Sequence, residues 1–158
     1  MMKTISHNEF ERLKFILKNY YEHLVKYPHS LITRYFGLHK IKYKTESGNI
    51  QRIYFIIMAN VFNTTRSIDT RYDLKGSKHG RMTRKNPNDK VEPGVALKDL
   101  DFDRDGMSID LDPSDKAALI KQIEIDVGLF KAMEINDYSL LLGIHYLQGN
   151  ENEGKMLL

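Results

Sequence analysis

The nine residues "YFIIMANVF", Tyr54 to Phe62, offer no polar face until Asn60. The run is far shorter than the roughly 20 apolar residues that cross a bilayer. Its aromatic and β-branched content suits a strand covered on both faces, and such a strand needs neighbours on both sides. The chain must therefore supply strands to flank it and an apolar helix face to cover it.

Both are present. "LITRYFGLHKIKY" precedes the run, and "TESGN" between them reads as a hairpin turn. Strands are expected around residues 31–36, 39–45 and 51–58, with others around 69–74 and 139–145, from "SIDTRYDL" and "SLLLGIHYL". "MMKTI" reads as a short extended segment. Ser6 and Glu9 stand at capping-box spacing before Phe10, Leu13, Leu17, Tyr20, Tyr21 and Leu24, which recur every three or four residues. That predicts a helix over His7–Lys26, stopped before Pro28. A second helix is predicted over Ser114–Met133, started by Pro113, with Leu119, Ile120, Ile123, Val127, Phe130 and Met133 on one face. The polar tail, residues 147–158, is expected to fray. The fold class is α+β, with an antiparallel sheet and flanking helices.

A length of 158 residues favours one domain, and 41% hydrophobic with 28% charged residues fits a soluble globular chain. No cysteine is present, so disulfides and thiolate metal sites are excluded, and a reducing compartment fits. The opening turns polar too soon for a signal peptide. The histidines have no metal-ligand spacing, and no metal residue is assigned; Ser139 has no nearby histidine to make a nucleophile.

Charge is concentrated locally. The whole chain carries a formal +3, yet residues 71–90 hold seven Lys or Arg against two Asp. Within that segment "RYDLKGSKHGR" sets basic side chains beside glycines, the makings of a phosphate site or of an exposed turn. From Gly76 to Gly94 the composition reads as a long mobile loop. On pattern alone Lys3 reads as an edge-strand charge, Asp137 as a turn former and His145 as a core or rim histidine, while Lys75 and Arg81 read equally as solvated loop charges or as functional ones.

"RYDLKGS", "LKDLDF" and "INDYSLLLGIH" occur in that order, joined by the basic loop. Together with "KTIS", "SLITRYFGLHKI" and "YFIIMANVF" they resemble the phosphatidylinositol phosphate kinases from about Lys3 to His145. The resemblance implies a divergent protein-kinase-like lipid kinase fold that transfers phosphate from ATP, with Mg2+, to a phosphoinositide such as phosphatidylinositol 4-phosphate. It implies ATP-phosphate contact for Lys3 and backbone contacts to adenine at Ala59, Asn60 and Val61, with Phe62 over the base. Glu11 is the expected partner of Lys3, with Glu9 as alternative. Asp137 would orient the attacking hydroxyl. Lys75 would neutralise phosphate, and Arg81 would meet the lipid headgroup. Asp99 and Asp101 would lie on a supporting loop, and Arg84 and Lys85 would give nonspecific attraction.

The same resemblance divides the chain at about residues 1–62 (N-lobe part and linker), 63–146 (central part with the catalytic loop) and 147–158 (tail). It places a glycine-rich phosphate lid before Lys3 and a metal-binding I-I-D aspartate after His145. Neither occurs in these 158 residues, so the chain is expected to be the central part of a catalytic domain, truncated at both ends and inactive alone. Expected surroundings are the cytoplasmic face of a membrane, bound peripherally, with a homodimer also compatible. A non-catalytic module that binds phosphoinositide or an anionic membrane surface is the alternative. Nucleic acid is not an expected partner, because no aromatic residue interleaves the basic segment between Tyr72 and Phe102.

Overall fold

A computed structural model describes residues 1–92, 94–146 and 154–157. In chain order the elements are β1 (Met2–Ile5), α1 (His7–Lys26), β2 (Tyr35–Lys44), β3 (Ile50–Met58), β4 (Thr70–Leu74), α2 (Asp99–Arg104), α3 (Pro113–Ala132), β5 (Leu140–Tyr146) and β6 (Gly154–Leu157). They fall into two compact units. The first comprises Met1–Val61 with Pro113–Ile135, and the second Phe62–Asp112 with Asn136–Leu158. The expected single sheet is two sheets, and α3 belongs with the first unit.

In the first unit β3 is the middle strand of an antiparallel sheet ordered β1-β3-β2. The middle place is the one expected, but the strand is not covered on both faces: Ile56 is buried, whereas Ile53 and Ile57 are exposed. The capping box at Ser6 forms: the Glu9 amide donates to Ser6 Oγ at 3.2 Å and the Ser6 amide to Glu9 Oε2 at 2.7 Å. Of the expected α1 stripe Phe10 and Tyr20 are buried, but Leu17 and Tyr21 are exposed, and Ile16 and His23 are buried with the first two. Phe10 meets Tyr54 of β3 at 4.9 Å between ring centroids. Tyr20 Oη donates to the Thr33 carbonyl and accepts from the Tyr35 amide, both at 2.9 Å, pinning the segment before β2. That segment is not the separate strand expected at 31–36. A single strand runs from Tyr35 to Lys44, with a register shift between Tyr35 and Gly37.

Helix α3 departs from its expected face. Ile120 is exposed, and the buried residue is Asp126. Its carboxylate takes His23 Nε2 of α1 at 2.7 Å, the Leu31 amide at 2.8 Å and Gln122 Nε2 at 3.0 Å. Polar clamping rather than apolar area alone fixes α1 to α3 here.

The second unit is built on an antiparallel sheet ordered β4-β5-β6. Residues 154–157, expected to fray, pair with β5, while 147–153 and 158 lie outside the described residues. The core is Tyr72, Leu97, Leu142 and Ile144, with Tyr72 directly opposite Leu142. Tyr72 also meets Phe102 of α2 edge-on at 5.2 Å. Gly143 is buried, and a Cβ there would lie 2.9 Å from carbons of the Phe62 ring. Only glycine lets that ring close on the sheet. Helix α2 is six residues where a loop was expected.

Candidate functional site

The site of the second unit starts where β4 ends. After Leu74 the chain turns at Gly76, whose φ of 68° is open to glycine without strain. Asp99, the first residue of α2, holds that turn. Its Oδ1 accepts the amides of Lys75 at 2.9 Å and Gly76 at 2.8 Å, and its Oδ2 accepts Arg81 Nε at 2.8 Å. Partial burial works against the charge. The Arg81 guanidinium and the Lys75 and Gly76 amides outweigh it, bringing the Asp99 carboxyl down to about 2. Arg81 Nη2 also donates to the Asp73 carbonyl and to Asp73 Oδ1, so this guanidinium lies between two carboxylates.

Two residues further along α2 the pattern repeats on a buried carboxylate. Asp101 has no exposed surface. It accepts the amides of Thr83 at 2.7 Å, Arg84 at 3.1 Å and Lys98 at 3.1 Å, and Arg104 Nη2 at 3.0 Å. Arg84 in turn pairs with Asp105, which also accepts Tyr72 Oη at 2.7 Å. Burial first, then Asp105, pushes the Tyr72 phenol well above its ordinary range. Residues 81–84 are thus tied to α2 and are not a free loop. The expectation that Arg84 supplies nonspecific attraction is corrected by its pairing with Asp105 and Asp101. Lys85 is exposed.

Asp137 stands in the turn before β5 with φ 63°, a left-handed conformation uncommon outside glycine. Lys75 Nζ pairs with its Oδ1. The Asp137 carboxyl is lowered, first by the hydrogen bond from Lys75 and then by its charge, with a smaller contribution from Arg81. Lys75, Ser77, His79, Arg81, Asn136, Asp137 and Tyr138 line an open concavity of about 500 Å³. The structure therefore brings together the three residues expected for chemistry and headgroup binding: Asp137, Lys75 and Arg81. Arg81 reaches the concavity with its charge already matched by Asp73 and Asp99. The supporting place expected of Asp99 is the one it takes, while sequence reasoning missed Asp73 and Asp105. The available signal was the alternation of Asp99, Asp101, Asp103 and Asp105 on a short segment.

The residues expected to bind ATP are divided. Lys3, Glu11, Ala59, Asn60 and Val61 belong to the first unit, and Phe62 to the second. Lys3 lies on β1 opposite Ile56 of β3. Glu11 does not pair with it: its carboxylate meets Lys14 at 3.3 Å and His7 at 3.8 Å along α1. The alternative, Glu9, has its carboxyl lowered first by the backbone and side chain of Ser6 and then by the charge of Lys3. The Ala59 amide donates to the Arg34 carbonyl at 2.8 Å and is not free to read a base. The Phe62 ring closes on Gly143, and the Arg71 guanidinium lies 5.7 Å from its centroid.

A family model described as "Phosphatidylinositol-4-phosphate 5-Kinase" matches residues 1–157. This chain belongs to that family. It is 43% identical over 148 residues to the phosphatidylinositol 4-phosphate 5-kinase of Plasmodium falciparum, covering 92% of this chain and 8% of that protein. It is 42% identical over 153 residues to a probable phosphatidylinositol phosphate kinase of Dictyostelium discoideum, covering 97% of this chain and 20% of that protein. It is 40% identical over 146 residues to phosphatidylinositol 4-phosphate 5-kinase 8 of Arabidopsis thaliana, covering 92% and 18%. The chain thus spans a fifth or less of the length of these relatives. For this member of the phosphatidylinositol-4-phosphate 5-kinase family, the concavity around Lys75 and Asp137 lies wholly within the second unit. Among the described residues, no helix is long and apolar enough to cross a membrane.

Proposed function

We propose that this protein transfers the γ-phosphoryl group of ATP to a hydroxyl of phosphatidylinositol 4-phosphate, giving the 4,5-bisphosphate, and that Lys75 and Asp137 are its catalytic residues. The observation that carries this reading is the Lys75–Asp137 ion pair on the concavity, in a chain that matches this kinase family throughout. Phosphoryl transfer asks a protein chiefly for positioning and charge stabilisation. Asp137 is held ionised, so it can accept a hydrogen bond from the inositol hydroxyl and aim it at the phosphoryl group. Lys75 is a mobile point charge that can leave Asp137 for a phosphate oxygen as charge develops there. Arg81, locked between two carboxylates, positions the turn carrying Lys75 and is a weaker candidate for headgroup contact.

The main chain around Asn60 and Val61 is the proposed adenine reader, and Lys3 the proposed partner of the nucleotide phosphates. Magnesium would enter with ATP as part of the substrate. Among the described residues, no three His, Asp or Glu side chains gather to hold an ion. The proposed place of action is the cytosolic face of a membrane, where the lipid substrate lies.

The test is transfer of radiolabel from ATP to phosphatidylinositol 4-phosphate vesicles by a complete kinase domain that carries these residues, wild type against Asp137→Asn and Lys75→Ala, since the 158 residues by themselves are expected to be inactive. Loss of a positioned acid or base costs about 10²- to 10⁴-fold in rate, and a loss of that size is expected for Asp137→Asn. Turnover that survives both substitutions unchanged would move the chemistry elsewhere.

A further inference from the structure

The β2–β3 hairpin carries a charge pattern the concavity does not use. Alternation along "HKIKYK" sets Lys40, Lys42 and Lys44 on one face of the sheet. Lys42 lies directly opposite Arg52 and Lys40 opposite Tyr54, with the Lys40 ammonium 5.5 Å from the Tyr54 ring centroid. Like charges in directly opposed cross-strand positions repel. Yet among the described residues Lys42, Lys44 and Arg52 have no acidic partner within ion-pair distance, whereas Lys75, Arg81, Arg84 and Arg104 all do. The opposite face is apolar and open to water, with Ile41, Tyr43 and Ile53 each 40% exposed or more. Strand β2 is also the outer strand of its sheet, so one edge is unpaired within it.

We propose that the β2–β3 hairpin docks edge-on to an anionic lipid bilayer, with Lys40, Lys42, Lys44 and Arg52 on lipid phosphates and Ile41 and Tyr43 at the headgroup–acyl boundary. Only an interface offers both chemistries within the width of one strand: anionic oxygens above and hydrocarbon just below. Lysine stems are long enough to lie along the apolar side and return their charge to the phosphates. A nucleic acid would satisfy the basic face alone and leave Ile41, Tyr43 and Ile53 in water. The basic face also lacks a free stacking platform, because Lys40 already covers Tyr54. The proposal deepens the lipid-kinase reading by naming the surface that meets the membrane, but it rests on no catalytic step.

The chain has no tryptophan, so Tyr43→Trp places a single reporter on the strand. The protein is mixed with phosphatidylcholine vesicles with or without phosphatidylserine, without phosphoinositide or ATP. The expected result is a blue-shifted Trp emission, quenched by chain-labelled lipid, only when phosphatidylserine is present. Each cation that reaches an anionic surface is worth about fivefold in affinity, so Lys40→Ala/Lys42→Ala/Lys44→Ala in that background is expected to weaken binding about a hundredfold. Melting of the triple variant at the parent's temperature would show that the fold is kept, since all three side chains are exposed.

An unshifted Trp while the protein sediments with the vesicles would place the membrane contact elsewhere and overturn the proposal. Equal binding by the triple variant would do the same. A Trp shift on adding RNA or duplex DNA but not vesicles would make the partner a nucleic acid. The two readings fail separately. Vesicle docking without phosphoryl transfer by the complete domain removes only the catalytic assignment. Transfer to detergent-dispersed lipid with a silent Trp removes only the docking surface.

Discussion

Replacing Asp101 by Asn changes one oxygen for one nitrogen and almost no volume. The structure nevertheless predicts a large loss. The carboxylate is fully buried, and both oxygens accept two hydrogen bonds each. Oδ2 takes the Thr83 and Lys98 amides; Oδ1 takes the Arg84 amide and the Arg104 guanidinium. Whichever way an asparagine amide is turned, its nitrogen faces two donors. Two bonds become donor–donor contacts, and the charge matching Arg104 is lost. A buried donor left without an acceptor costs about 1–3 kcal/mol, and breaking a buried ion pair from one side costs about 3–5 kcal/mol. These overlap, so the expected loss is about 3–4 kcal/mol rather than their sum. For a chain of this size roughly 2–4 °C of melting temperature goes with each kcal/mol, so Asp101→Asn should melt about 10 °C lower. Thermal unfolding by circular dichroism gives the total. Amide hydrogen exchange at Thr83, Arg84 and Lys98 locates it, because those protons should lose protection first. A variant melting within about 2 °C of wild type, which is under about 1 kcal/mol, with those amides still protected, would refute the reasoning.

Two further outcomes follow from the same geometry. Asp99 has its carboxyl lowered from 3.8 to about 2. A depressed carboxyl contributes stability that is complete above its unfolded value and lost as pH falls through its folded one, so about 2 kcal/mol should disappear between pH 4 and 2. Acid titration of unfolding free energy should show that slope in the wild type and a flatter one in Asp99→Asn. Gly143→Ala forces a methyl group to within 2.9 Å of the Phe62 ring and should cost about 1–3 kcal/mol. Urea unfolding of Gly143→Ala, Phe62→Ala and the double variant checks it, the double being more stable than additivity allows.

What was readable in the sequence was whatever a local period or cap could carry. Helix α1 begins and ends where its capping box, stripe and Pro28 place it. The middle position of β3 follows from having no polar face. Helix α3 starts at Pro113 as expected, but nothing local marks its buried aspartate, because its partners His23 and Leu31 are about a hundred residues away. Helix α2 is shorter than two helical turns and offers no period to read. The basic segment misled for a related reason. Composition cannot show that Arg81 and Arg84 meet carboxylates some twenty residues downstream, so a tied segment read as a loose one. At the candidate site the residue types at Lys75 and Asp137 came from motif resemblance. The left-handed backbone that presents Asp137 left no mark in its composition.

The two consecutive amides at Lys75 and Gly76 form the kind of small concave cup that elsewhere cradles a phosphate. Here the cup already has a tenant, the carboxylate of Asp99, supplied by the same chain. In the proposed reaction these two amides would therefore not be open to an incoming phosphate, which would be received by a side chain on the rim. Lys75 joins the two, since its backbone amide anchors the cup while its ammonium faces the concavity.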